Sequence, residues 1–166
     1  MISIEHSYVT GLKQRSMPAD TINQFNATTE GDKLKPWLAG LFNIMFYGDR
    51  FTHLRSACVA RALAMPDENV RALYHNMLTW DAIKGEAIMR AVNVPTLVLQ
   101  STTPDTDVVR RALNADEMGH YPELVKGRNT NAELALLAGH GHFTGLEAPK
   151  WTNNAISAWM TRNSFV

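Results

Sequence analysis

The segment Leu137-Ala138-Gly139-His140-Gly141-His142-Phe143-Thr144-Gly145-Leu146-Glu147-Ala148-Pro149 joins a short apolar run to a helix through a glycine-flanked histidine. Just upstream, Glu133-Leu134-Ala135-Leu136-Leu137 reads as a short strand ended by Ala138-Gly139. Downstream, Trp151, Ala155, Ile156, Trp159 and Met160 follow Pro149 at helical spacing and mark a terminal amphipathic helix. Gly141 allows a sharp turn and close approach by another group. A histidine on such a loop is presented at the carboxyl edge of a sheet, where ligands bind in α/β folds, and can serve as a general base near neutral pH. Taken alone, a histidine in a glycine-rich loop is more often a locally hydrogen-bonded surface residue; the string around His142 singles it out.

Working back from this segment, Val94-Pro95 leads into Thr96-Leu97-Val98-Leu99-Gln100. This run is apolar without alternation, which suits a strand buried on both faces. About 30 residues of loop and helix separate the two runs, with Val108 to Leu113 reading as a helix start; the spacing predicts a right-handed βαβ unit. Two strands make a marginal sheet. The expectation is therefore an α/β fold in which this pair forms the edge of an incomplete sheet.

Before residue 92 the texture is helical. Thr21 to Glu30 is polar and turn-favouring, with Asn23, Asn26, Thr28 and Thr29. Pro36 suits a first helical turn, and Trp37, Leu38, Leu41, Phe42, Met45 and Phe46 recur at helical spacing up to Gly48-Asp49. A second helix follows Thr52 with Leu54, Cys58, Val59, Ala62 and Leu63 on its apolar face, and a third follows Pro66 with Val70, Leu73, Tyr74, Met77 and Leu78. Asp81 suits the cap of a fourth. The chain thus divides into a helical region, 1–91, and a βαβα segment, 92–166.

The 166 residues carry 16 Lys plus Arg and 16 Asp plus Glu, so the balance lacks the basic footprint of a nucleic-acid binder. No apolar stretch approaches the roughly 20 residues that span a bilayer. The opening Met1-Ile2-Ser3-Ile4-Glu5-His6 lacks a basic region followed by an apolar run, so no secretory signal is expected. A single cysteine, Cys58, leaves no internal disulfide and suits a reducing compartment. A cytoplasmic protein without a membrane or nucleic-acid partner is the expectation. His140 and His142, two residues apart with no cysteine or carboxylate at ligand spacing, make a poor zinc motif, so no metal is expected.

Pro95-Thr96-Leu97-Val98-Leu99-Gln100 and Gly141-His142-Phe143-Thr144-Gly145-Leu146-Glu147-Ala148-Pro149 together resemble the C-terminal signature of the α/β-hydrolase family. There, a proline-led strand precedes the loop of the catalytic acid, and a GHFxxLExP motif carries the catalytic histidine. The resemblance runs from about Val94 to Met160, and the helical region resembles by position the lid that the family inserts before that strand. It implies that His142 is the catalytic base. It implies that Asp105, or alternatively Asp107, is the acid that fixes the imidazole tautomer. Ser101 stands where the family closes the strand with glycine, and either aspartate also suits the N-cap of a helix at Val108. The resemblance further implies hydrolysis of a small ester, lactone or related substrate without metal or organic cofactor. Trp37, Phe42, Phe46 and Phe143 are then candidates for lining an apolar substrate site, although such a stripe ordinarily packs against neighbouring helices.

The family's nucleophile lies in a G-x-S-x-G elbow. None of Ser3, Ser7, Ser16, Ser56, Ser101, Ser157 and Ser164 has glycine on both sides at that distance, and Cys58 reads as a packed mid-helix residue. Three expectations follow. The chain is a hydrolase portion, inactive by itself, whose nucleophile lies elsewhere; or it is a non-catalytic interaction module that pairs its open sheet edge with a second copy or a partner chain supplying strands; or it is a piece of a longer gene product.

Overall fold

The structure is a computed structural model and describes residues 1–4, 18–104 and 110–165. The fold is mixed α/β, as the texture of the chain predicts. It divides into two compact units: one comprises Met1–Ser7, Ile44–Phe51 and Arg90–Val166, the other Tyr8–Asn43 and Thr52–Met89.

The sheet unit is organised around β2 (Thr96–Gln100), every residue of which is buried. β2 lies between β1 (Ile2–Ile4) and β5 (Ala132–Leu136), and both pairings are parallel. In register, Ile2, Ser3 and Ile4 face Leu97, Val98 and Leu99. On the other side, Thr96 to Gln100 face Ala132 to Leu136 residue by residue. Two strands were expected in this sheet and a third is present. The edge of β2 expected to lie open is covered by Met1–Ile4 of the same chain. β5 begins one residue earlier than the apolar run suggests.

Alternation along β2 sends Leu97 and Leu99 to one face. There they pack with Trp159 of α8 (Pro149–Arg162), flanked by Trp151, Ala155, Ile156 and Met160. On β2 Thr96 receives a hydrogen bond from Asn129 Nδ2 at 3.2 Å, just beyond α6 (His120–Arg128). Burial on both faces is why Leu97-Val98-Leu99 is apolar without alternation, while buried Thr96 and Gln100 at the two ends are hydrogen-bonded.

Past β2, β3 (Thr102–Pro104) pairs antiparallel with β4 (Arg110–Ala112). Residues 108 and 109 of the expected helix start at Val108 to Leu113 lie outside the described residues; over 110–112 the reading is corrected, since Thr102, Thr103 and Pro104 face Ala112, Arg111 and Arg110 in a ladder that overrides local helix preference. His120 opens α6, with Pro122 in its first turn.

The helical unit contains α1 (Pro18–Thr28), α2 (Leu34–Ile44), α3 (Thr52–Leu63) and α4 (Asp67–Trp80), continued by a π-helical turn, Asp81–Gly85, into α5 (Glu86–Ala91). The polar stretch 21–30, read as turn-forming, is largely helical. Phe25 supplies the reason: it is buried with Leu34, Leu38, Ala62 and Val70, and packing outweighs weak propensity. Thr29 is also fully buried, and Arg71 donates to its carbonyl oxygen at 2.8 Å and to that of Gly31 at 3.2 Å, which satisfies carbonyls past the end of α1. Asp81, read as the cap of a fourth helix, lies buried inside a continuous helical run. A π turn absorbs one extra residue without breaking the helix. Among the described residues no helix is long and apolar enough to cross a membrane.

Candidate functional site

In a parallel sheet all carboxyl ends lie on one edge. Here that edge carries the β3–β4 hairpin, which follows β2, and the histidine loop, which follows β5. Backbone hydrogen bonds tie them together. Leu137 N–H donates to Gln100 O at 2.9 Å, Leu113 N–H to Ser101 O at 2.7 Å, and Gly139 N–H to Leu113 O at 3.0 Å. Residues 105–109 join β3 to β4, so Asp105 and Asp107, the two candidate acids, both lie outside the described residues.

The histidine loop divides its work between two glycines. Gly139 holds φ at +69° and turns the chain. Gly141 provides close approach: a Cβ there would collide with Glu147 Oε1 and the Met45 carbonyl oxygen, and would stand 2.8 Å from Phe46 Cα. Next to it, the His142 N–H donates to Met45 O at 2.6 Å. The half-buried imidazole meets the Phe143 ring edge-on at 5.4 Å, and Phe143 in turn lies 5.0 Å from buried Phe46. His140 Nδ1 lies 3.0 Å from the Ala138 carbonyl oxygen.

Thr144 then opens a single helical turn, α7 (Thr144–Glu147), which carries Glu147 back beneath the loop. Glu147 is 7% exposed, and its Oε2 accepts the Gly141 N–H at 2.9 Å. Burial pushes its carboxyl above the ordinary glutamate value, opposed by the Gly141 and Tyr47 N–H groups and by the charges of His140 and Arg50. Ser101, fully buried at the end of β2, donates its hydroxyl to Gly141 O. The serine that replaces the glycine of the hydrolase pattern thus fastens one loop of this edge to the other.

Of the proposed lining residues, Phe46 and Phe143 meet beside His142 in the sheet unit. Trp37 and Phe42 belong to the helical unit. There Trp37 packs edge-on against Phe25 at 5.3 Å and Tyr74 at 5.0 Å, and Phe42 packs against the same core. Cys58 is half-buried with a free thiol. Sequence reasoning missed Met45 and Glu147 as neighbours of the histidine. Met45 reads as a member of the helical stripe begun at Trp37, and only the wide separation of 45 from 142 hides its part. Glu147 carries a usable signal: an acid six residues after a glycine and one turn into a helix can reach back to that glycine's N–H.

No family model matches the chain, and no curated protein matches it.

Proposed function

We propose that this chain is the lid-and-histidine portion of an α/β-hydrolase-type enzyme acting on a small ester, lactone or related carbonyl substrate. In this reading His142 is base and then acid, and Asp105, or Asp107, orients its imidazole. The observation that carries the reading is the placement of His142 at the carboxyl edge of β5, in a loop stitched to the end of the neighbouring parallel strand. One further feature supports it: β1 precedes the helical unit while pairing parallel to β2, as the strand before an inserted lid would.

Phe46 and Phe143 would offer an apolar wall beside the base, while Trp37 and Phe42 would keep the helical lid rigid. The nucleophile and the donors that stabilise the oxyanion would come from additional strands, in a longer product or a partner chain, and no cofactor is invoked. Without the nucleophile, turnover falls by about 10⁶. The chain by itself should leave short-chain p-nitrophenyl esters untouched. A product extended upstream through an in-frame G-x-S-x-G should hydrolyse them, and lose that activity in His142→Ala. Turnover by the 166-residue chain that vanishes in His142→Ala would overturn the division of labour, and an active extended product indifferent to His142→Ala would overturn the role of the histidine.

A further inference from the structure

We infer that Glu147 is the positioning residue for His142, acting through the backbone of Gly141 and the turn at residues 45–47. Its functional meaning rests on the reading of His142 as a catalytic base; its geometry does not. The peptide between Gly141 and His142 is held at every polar group. Its carbonyl accepts from Ser101 Oγ, and its N–H donates to Met45 O at 2.6 Å. The preceding N–H, of Gly141, donates to Glu147 Oε2 at 2.9 Å. The peptide plane that precedes the Cα of His142 is therefore held on both sides, and the imidazole inherits that starting point.

Among these partners Glu147 is the one whose side chain lies against both Gly141 and the 45–46 backbone. Its Oε1 crowds the position that a Gly141 Cβ would occupy, as do Met45 O and Phe46 Cα, so carboxylate, glycine and the 45–46 backbone meet around one vacant Cβ position. The Tyr47 N–H also faces the carboxyl group. α7 closes the arrangement: Leu146 and Glu147 N–H both donate to Phe143 O at 2.8 Å, so Glu147 is fixed by the residue that follows the histidine. At 7% exposure the carboxyl is shut off from any substrate, which makes it a positioning group and not a catalytic one.

The test uses the full chain and two readouts independent of turnover: hydrogen exchange of the Gly141 amide and the imidazole Cε1–Hε1 resonance of His142. In Glu147→Ala the Gly141 amide should exchange about tenfold faster or more, because a buried donor loses its acceptor. The His142 resonance should move and split into more than one environment, while His53 and His75 of the helical unit keep theirs. Glu147→Gln, whose amide oxygen can still accept, should restore both signals. Wild-type behaviour of Glu147→Ala overturns the inference, as does failure of Glu147→Gln to restore. If Glu147→Ala does not fold, Glu147→Asp withdraws the carboxylate by one methylene and must perturb the same two signals; wild-type signals there also overturn it. Failure of the hydrolase reading shows instead as an inactive extended product, which leaves these two signals untouched.

Discussion

Glu147 reaches back six residues to accept the Gly141 N–H at 2.9 Å, and the contact leaves no room for a side chain on Gly141. Gly141→Ala should therefore be costly although alanine is the smallest addition. The new methyl meets a carboxylate oxygen and two stretches of backbone, which yield less readily than the end of a flexible side chain. Overpacking of this kind costs about 1–3 kcal/mol or more. Urea unfolding should show a lower midpoint with an unchanged slope, and a midpoint equal to wild type would contradict the packing described.

Glu147 also imposes a pH dependence with a defined sign. Its folded-state pKa lies above the ordinary 4.5, chiefly through burial. The folded state thus holds the proton more tightly than the unfolded chain. The stability that follows is fully present below the unfolded value and is lost as pH rises through the folded one. Glu147→Gln removes this slope. Comparing urea midpoints of the two proteins from about pH 4 to about pH 8 should show wild type losing ground to the variant as pH rises; a gap that widens in the opposite direction would contradict it.

Glu117 behaves in the opposite sense. Arg111 holds it bidentately at 2.6 and 2.8 Å, and Asn114 N–H donates to it at 2.9 Å, which together lower its pKa to about 2. Its contribution is present above the unfolded value of 4.5 and is lost as pH falls towards about 2. Both side chains are partly exposed, so solvent screening keeps the effect below about 1 kcal/mol. Glu117→Gln should flatten the acid limb of a stability–pH curve in that window and leave the neutral region nearly unchanged.

Trp159 closes the face of the sheet formed by Leu97 and Leu99 and is 3% exposed. Trp159→Ala should cost about 3–5 kcal/mol. Hydrogen exchange should rise in β2 and β5 while the amides of α1 and α4 keep their protection, since Phe25, Leu34, Leu38 and Val70 form a separate core.

The parts of this architecture legible in the sequence are those in which one pattern suffices. Thr96–Gln100 is buried throughout, as the non-alternating Leu97-Val98-Leu99 at its centre suggests, and α8 follows the spacing of Trp151, Ala155, Ile156 and Trp159. β1 has only three residues, too few to establish a period, and it gains its place by pairing with residues more than 90 positions away. β4 looked helical because Arg110, Arg111 and Ala112 are all good helix formers, and pairing with β3 outweighs that preference. The neighbours of His142 were hidden for a related reason. Met45 and Phe46 keep the helical stripe of α2, yet α2 ends at Ile44 and the next residues serve the sheet unit.

That return of residues 44–51 bears on how the chain can be taken apart. The surroundings of His142 are assembled from positions about a hundred residues apart, so excising 92–166 would remove both β1 and the Met45–Phe46 wall. A graft that exchanges residues 52–89 for a different helical insert keeps every contact described around the histidine. One that exchanges 18–91 removes the contacts of Met45 and Phe46 and leaves those of Ser101 and Glu147 with Gly141. The compact units of this protein do not follow the order of the chain: residues 44–51 belong to the sheet unit, and Phe25, Leu34 and Leu38 share one core with Ala62 and Val70 on the far side of that segment.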